Sequence, residues 1–269
     1  MNYETQRCRT GLSRSRLPDL LYSLNPYFGC EHGCIYCYSP SVFRNEVIAR
    51  NWGEFVKAKN NIPEVLTKEI PGIEIGTVGV STVTDPYQQA ESHFELTKRC
   101  LEILSTNRFP VSIQTKSNLV LRDIEIIRPA GFEVGVTLTT LNNDIARKIE
   151  PHASAPDSRV HVLEEFHSRG VRTWVFFGPI IPEINDDSEN VGAIVRVAKK
   201  TNSRILYDKL NIKNWVIERM TPTLEQLKPE LIKRIPELVE ANSNWWKTIT
   251  STLRARCKEE SVMVQAAFQ

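Results

Sequence analysis

The chain has 269 residues, of which 41% are hydrophobic and 25% are charged, and its formal net charge is +2. A chain of this size can bury the core of one barrel-sized domain or of two small domains. The small net charge does not indicate the concentrated basic face that is typical of nucleic-acid-binding proteins.

The sequence shows neither a membrane-spanning run nor a secretion signal. Its longest apolar run, at residues 175–181, is too short to cross a bilayer, and no apolar run follows the basic start. Six cysteines are too few for a disulfide scaffold in a chain of this length. We therefore expect a cytoplasmic protein that makes no contact with a membrane.

Two kinds of segment alternate along the chain. Short runs rich in apolar and β-branched residues predict strands, and runs with apolar residues at helical spacing predict helices. The predicted strands are 20–24, 77–83, 111–115, 133–138, 172–177 and 204–210. The predicted helices are 55–69, 94–106, 124–128, 158–169, 190–200 and, at the end, 224–256.

This alternation predicts an α/β fold. Strands that are apolar throughout are typical of parallel sheets covered on both faces. About six βα units fall short of the eight of a closed barrel, which favours a partial (β/α)6 barrel over the competing doubly wound sheet. We expect one domain overall, with the barrel and an N-terminal arm in residues 1–220 and a helical C-terminal extension packed on it in residues 221–269.

Polar residues follow the predicted strands. In both candidate folds, functional residues lie at the carboxyl ends of parallel strands. The residues at these ends are Thr84-Asp85, Lys116-Ser117, Thr139-Thr140, Gly178-Pro179 and Asn211.

Three cysteines, Cys30, Cys34 and Cys37, lie within the stretch NPYFGCEHGCIYCYSP. Crowded thiolates in a reducing compartment predict a metal centre. A structural zinc site needs four ligands, and no second cysteine pair follows, although His32 is a candidate. A [4Fe-4S] cluster held by three cysteines leaves one iron open for another ligand. The cluster is our prediction, and the zinc site is the alternative.

The spacing C-x3-C-x2-C, with Tyr36 before the third cysteine, resembles the signature of the radical S-adenosylmethionine superfamily. The stretches YSLNPYFGCEHGCIYCY, TVTDPYQQAE, TKSNLVLRD, EPHASAPDSR and GPIIPEIND look more narrowly like motifs of its spore photoproduct lyase-like family. The resemblance implies a partial (β/α)6 barrel, a [4Fe-4S] cluster on the three cysteines and S-adenosylmethionine as cofactor. It also implies reductive cleavage to methionine and a 5′-deoxyadenosyl radical, with a flavodoxin or ferredoxin as electron donor.

The resemblance assigns cofactor-binding roles as well. Tyr36 would lie against the adenine, although aromatic packing of the loop is also expected. Lys116 would meet the methionine carboxylate, unless it faces solvent. Thr137 and Thr139 would contact the ribose, although threonine is also common in strands. The methionine amino group would be received at the end of the first strand after the cluster, by Ser81, Thr82, Thr84 and Asp85.

Other residues carry structural expectations. Glu150 and Arg159 could form an ion pair, which matters only if both are buried. His32 could donate to the cluster sulfurs. Residues 185–187 would cap the helix that starts near Glu189. Since the adjacent Trp245 and Trp246 cannot share one helix face, at least one is expected to pack against the barrel or a partner.

The substrate stays open between two classes. The resemblance implies a nucleic-acid lesion or a nucleotide. The hydrogen-donating cysteine of the photoproduct lyase is missing, because its expected place reads Gly79-Val80-Ser81. That absence and the small net charge favour the alternative, a small metabolite or a peptide. A third possibility is a noncatalytic, zinc-stabilised binding module.

Overall fold

The computed structural model describes residues 2–267 and contains two sheets. The strands are β1 (Asn2–Gln6), β2 (Leu12–Arg14), β3 (Tyr22–Leu24), β4 (Tyr27–Phe28), β5 (Phe55–Lys59), β6 (Val78–Val80), β7 (Val111–Thr115), β8 (Phe132–Thr137), β9 (Arg172–Ile180), β10 (Arg204–Lys209) and β11 (Val264–Ala266). The helices are α1 (Ser39–Phe43), α2 (Glu46–Arg50), α3 (Ile62–Glu69), α4 (Glu91–Phe94), α5 (Leu96–Thr106), α6 (Asn143–Ile149), α7 (Pro156–Ser168), α8 (Ser188–Lys200), α9 (Val216–Leu227), α10 (Leu231–Leu238) and α11 (Asn244–Glu259).

The large sheet has eight strands in the order β11-β10-β9-β8-β7-β6-β3-β2. Its six central strands, from β3 to β10, run parallel to one another, and β11 continues this direction. Only β2 is antiparallel, at the edge beside β3. The parallel strands are joined through helical segments, and the partial (β/α)6 barrel predicted from the sequence is confirmed.

The small sheet, in the order β1-β5-β4, was not predicted. The prediction of one helix over residues 55–69 is wrong, because Phe55–Lys59 is a strand and the helix begins only at Ile62. In β5, Val56 and Ala58 are buried while their neighbours are partly exposed, which is the two-residue period of a strand. Strand β4 of this sheet ends at Phe28, directly before the cysteine loop, residues 30–37.

The predicted helix at residues 124–128 is also absent from the described structure. A 3₁₀ helix occupies Asn118–Asp123 instead, and the Ser117 side chain accepts from the Leu119 N–H at its start. Pro129 follows closely, and a residue before proline is disfavoured in a helix. The predicted cap of α8 is confirmed at Asp187, whose side chain accepts from the Asn190 N–H.

The C-terminal part forms three helices where the sequence predicts one long helix at residues 224–256. The break between α9 and α10 precedes Pro229, which cannot donate a helical hydrogen bond. Trp245 and Trp246 lie 5.7 Å apart between ring centroids, and Trp245 donates to Asp186 at 2.6 Å. The predicted division after residue 220 falls within α9 and stays a prediction.

Two apolar cores hold the molecule together. The larger one fills the space between the large sheet and helices α3, α5, α7, α8 and α11, and it includes the fully buried Cys100. The second packs α9 and α10 against Cys34 and Tyr36 of the cysteine loop. None of the helices described within residues 2–267 is sufficiently long and apolar to traverse a bilayer.

Candidate cofactor site

The cysteine loop follows β4, which pairs with β5 in the small sheet. Gly29 has a φ of +87°, and a Cβ there would lie 2.5 Å from the carbonyl oxygen of Phe55. Only glycine suits both conditions. The tight turn at Gly29 therefore carries the chain from β4 directly into the first cysteine.

The three predicted cluster cysteines border one cavity of about 690 Å³. Cys30 and Cys34 are buried, and Cys37 is partly buried. Among residues 2–267, no three His, Cys, Asp or Glu side chains are gathered closely enough to hold a single metal ion. Three thiols fit a [4Fe-4S] cluster, in which one iron stays open for another ligand, whereas a structural zinc ion takes four protein ligands.

Backbone hydrogen bonds tie the cysteine loop to the loop between α6 and α7. The Ile35 N–H donates to the Ile149 carbonyl at 3.1 Å, and the His152 N–H donates to the His32 carbonyl at 3.3 Å. Glu31 fixes the other side, since its carboxylate accepts from the Ala90 N–H at 2.6 Å. The positions of the cysteines are thus set by segments far away in the sequence.

His32 lies between two oxygen atoms. Its Nδ1 lies 3.1 Å from the carbonyl oxygen of His152, and its Nε2 lies 3.2 Å from Oδ2 of Asp85 but makes no hydrogen bond among the described residues. A hydrogen bond from His32 to the cluster sulfurs stays a prediction.

Ser81, Thr82, Thr84 and Asp85, at the end of β6, all line the cavity. Thr82 and Thr84 already have hydrogen-bond partners, since Thr82 accepts from Asn25 and Thr84 donates to the Gly29 carbonyl. Ser81 has a φ of +63°, and its Oγ is buried without a partner in the described structure. Of these three hydroxyls, the Ser81 hydroxyl is the one without a hydrogen-bond partner among the described residues.

Asp85 connects the segment after β6 to the end of β7 through hydrogen bonds. Its carboxylate accepts from the Tyr87 N–H, the Thr115 hydroxyl and the Lys116 N–H at 2.7–2.9 Å. Burial opposes its ionised form, but His32 and the N–H donors outweigh burial and lower the pKa of Asp85 to about 2. The contact with the Tyr87 N–H closes a turn over the Asp85-Pro86 peptide.

Lys116 reaches into the cavity beside Tyr36, with its Nζ 5.8 Å from the centroid of the tyrosine ring. Burial disfavours the ammonium, but Cys34, Glu150 and Asp85 outweigh it and raise the pKa of Lys116 above its usual range. Within residues 2–267, Nζ forms no hydrogen bond or ion pair. Lys116 thus supplies an uncommitted cation next to the cysteines.

Tyr36 and the predicted ion pair form one buried group. The Tyr36 hydroxyl donates to Glu150, and Glu150 Oε2 lies 2.6 Å from Nη1 of Arg159. The side chains of Glu150 and Arg159 are 0% and 1% exposed, so the condition set for this pair is met. Arg159 also donates to the Thr137 carbonyl at 3.1 Å and so supports the end of β8.

The two threonines predicted to share one face do not do so. Thr137 lines the cavity, and its Oγ1 accepts from Gln114 at 3.2 Å. Thr139 is fully buried and is not part of the cavity wall. Strand β8 ends at Thr137, so its alternation does not extend to Thr139, whose carbonyl is held by Asn185 and Asn190.

The part of the cavity wall formed by β7, β8, β9 and β10 was not predicted from the sequence. Arg204 pairs with Glu133 at 3.1 Å, and the Ser112 hydroxyl donates to Glu133 at 2.8 Å. Trp174 lies across Gly135, where any Cβ would collide with its indole. In a strand, every second side chain faces the same side of the sheet. A polar residue at such a position within an otherwise apolar strand could therefore have indicated these wall residues.

Sequence comparison identifies related chains. The sequence model described as the radical SAM superfamily matches residues 24–192. An uncharacterized protein of Methanocaldococcus jannaschii is 28% identical over 240 residues, which cover 88% of this chain and 85% of that one. An uncharacterized protein of Mycobacterium tuberculosis is 28% identical over 246 residues, which cover 86% and 72% of the two chains.

Solved structures share the fold. A spore photoproduct lyase mutant with bound AdoMet and dinucleoside spore photoproduct is similar with a TM-score of 0.71 at 11% identity, over 99% of this chain and 82% of that one. Streptococcus suis SuiB bound to S-adenosylmethionine is similar with a TM-score of 0.58 at 11% identity, over 92% and 49% of the two chains. At such low identity these similarities concern the fold alone.

Proposed function

The chain belongs to the radical S-adenosylmethionine superfamily, and on that premise we propose that Cys30, Cys34 and Cys37 hold its [4Fe-4S] cluster. Enzymes of this superfamily use such a cluster together with S-adenosylmethionine. When bound and reduced, the cluster supplies an electron that cleaves S-adenosylmethionine into methionine and a 5′-deoxyadenosyl radical, which abstracts hydrogen from the substrate. The protein must bind, orient and shield these groups.

Five cavity residues would bind S-adenosylmethionine. Lys116 offers an uncommitted ammonium for the methionine carboxylate, and Ser81 offers a hydroxyl without a partner for the amino group. Thr137 would meet the ribose, and the Tyr36 ring would lie against the adenine. Asp85 carries the ionised carboxylate that complements an ammonium, while it also positions the Lys116 backbone.

One observation carries the proposal. The three thiols and the Lys116 side chain border the same cavity, at the carboxyl ends of parallel strands. Functional residues of barrel folds lie at these ends. A purely structural zinc site would not need a lysine, a serine and two threonines arranged around it.

Metal and sulfide analysis tests the assignment. Protein reconstituted without oxygen should contain about four irons and four sulfides per chain, and Cys34→Ala should lose them. Cys8→Ala is the matched control, because Cys8 lies in the arm and its backbone contacts Asn61. One zinc per chain without iron or sulfide would favour the zinc-stabilised module instead.

For the substrate, we propose a nucleotide or a nucleic-acid lesion. The support is the fold similarity to spore photoproduct lyase, one structure of which is a complex with dinucleoside spore photoproduct. A small metabolite or a peptide is the alternative, and the cavity wall favours it. Arg204 is paired with Glu133, and Asp208 adds another carboxylate, whereas phosphates are bound through available cations.

Salt-dependent binding separates the two substrate classes. A labelled oligonucleotide that binds and loses affinity as salt rises would support the nucleic-acid substrate, because phosphate contacts release counterions. Absence of binding at low salt would move the assignment to the small metabolite or peptide.

We further propose a flavodoxin or ferredoxin as electron donor and the cytoplasm as compartment. The cluster needs one electron for each cleavage, and small redox proteins of these types deliver single electrons. All six cysteines are free thiols in the structure, which suits a reducing compartment.

A further inference from the structure

Arg219 of α9 contacts the cysteine loop on the side that packs against α9. Its Nη2 donates to the backbone carbonyl of Cys37. Its other guanidinium nitrogens, Nε and Nη1, are buried and have no hydrogen-bond partner among residues 2–267. The fold thus places a partly buried cation, with two unpartnered donors, beside a predicted cluster ligand.

Burying guanidinium donors without hydrogen-bond partners raises the free energy of the folded state, because the charge and the donors lose their hydration. Burial does not neutralise the group, since an arginine side chain keeps its proton in proteins. The adjacent Glu218 is directed away and lies 3.7 Å from Arg50. The described protein groups therefore leave the charge of Arg219 uncompensated.

Arg219 approaches the cysteine loop from α9. The residues that line the cavity include Cys34 and Cys37 but not Arg219. Arg219 contacts the Cys37 backbone from outside the cavity wall, and its guanidinium is close enough to interact electrostatically with the groups at Cys37 and Cys34. A cluster held by these two cysteines would accordingly be the negative group nearest to the Arg219 charge.

We propose that Arg219 sets the reduction potential of the cluster by compensating its negative charge from behind Cys37. This inference rests on the proposed function of the cysteines. Hydrogen bonds and net charge around a cluster tune its potential. One electron enters the cluster from the flavodoxin or ferredoxin, no bond forms to Arg219, and the guanidinium keeps its proton. The reduced cluster is more negative, so a fixed cation stabilises it more than the oxidised cluster and raises the potential.

Packing of α9 holds the guanidinium in place. Met220 and Leu224 of the same helix are buried with Cys34 and Tyr36 in the second core. The helix cannot turn Arg219 away from the loop without exposing these apolar side chains. Helix α9 would thereby contribute to the redox chemistry of the barrel.

The test is a redox titration of the reconstituted cluster, followed by electron paramagnetic resonance, together with iron analysis. Arg219→Gln and Arg219→Met remove the charge, Arg219→Lys keeps it, and Lys213→Gln removes an exposed charge near the start of α9 as the control. We expect full iron content and a clearly more negative potential in at least one neutral variant. The Lys variant should remain closer to the wild-type potential, and the Lys213 control should not shift.

Two results would overturn the inference. Neutral variants with full iron content and an unchanged potential would show that Arg219 does not act on the cluster electronically. Failure of both neutral variants to bind iron would assign Arg219 to loop assembly alone, through its bond to the Cys37 carbonyl. If the wild-type protein itself takes up no cluster, the proposed function fails instead, and the iron content of the wild type distinguishes the two failures.

Discussion

The Glu150 carboxylate lies 2.6 Å from the Arg159 guanidinium, and both side chains are buried beneath the cysteine loop. Glu150→Gln leaves the arginine charge buried without its counter-ion and weakens the Tyr36 contact. We expect a loss of about 3 kcal/mol or more in the free energy of unfolding, measured by denaturant titration. Glu164→Gln, which breaks a more exposed pair with Lys200, should cost about 1 kcal/mol or less. Equal losses in the two variants would contradict this account.

Asp85 predicts a defined pH dependence. Its pKa is about 2 in the folded chain, below its value of 3.8 in the absence of folding. The ionised carboxylate therefore contributes stability that is fully present above about pH 5 and is lost as the pH falls towards 2. The shift corresponds to about 2 kcal/mol.

The comparison of wild type with Asp85→Asn measures this contribution. The difference in the free energy of unfolding should be constant between about pH 5 and 7 and should shrink below about pH 4. Cluster-free protein should be used, so that acid loss of the cluster does not add to the result. A difference that grows towards acid pH would contradict the pKa direction.

Lys116→Met should weaken binding of S-adenosylmethionine to the reconstituted protein. Loss of a charged hydrogen bond costs about 1.5–3 kcal/mol, which corresponds to roughly a 10- to 150-fold rise in Kd. Equilibrium dialysis without oxygen measures the affinity. Lys148→Met, at an exposed position in α6, is the matched control and should leave Kd unchanged. An unchanged Kd in Lys116→Met would remove Lys116 from the binding site.

Gly29→Ala should lower the stability and the iron content together. The added Cβ would lie 2.5 Å from the Phe55 carbonyl oxygen at a backbone φ of +87°, so the loop must shift next to Cys30. We expect a loss of about 1–3 kcal/mol in the free energy of unfolding, from strain. In Gly72→Ala the new methyl group meets no atom within 4 Å, and this variant should bind iron normally. Normal iron content and stability in Gly29→Ala would contradict the role of the turn.

The sequence was most informative where the signal is local. The spacing of the three cysteines and the alternation of apolar segments predicted the superfamily and the partial barrel before any contact was known. Residues such as Lys116 and Thr137 were found because they lie at strand ends. Thr139 was misplaced, since the point at which β8 ends depends on Asn185 and Asn190 in a later loop.

Contacts between distant segments were beyond prediction. Phe55–Lys59 is a strand because it pairs with β1 and β4, although its residues are also compatible with a helix. Arg219 meets the Cys37 carbonyl across 182 residues of sequence. Arg204 and Glu133 face each other because β8, β9 and β10 are neighbours in the sheet.

The central claim is that the cysteine loop holds a cluster that cleaves S-adenosylmethionine. The most direct measurement is 5′-deoxyadenosine formed after dithionite reduction of reconstituted protein with S-adenosylmethionine. The account predicts product in the wild type and in Cys8→Ala and none in Cys34→Ala. Product that persists in Cys34→Ala, or zinc-loaded wild-type protein that forms none, would contradict it.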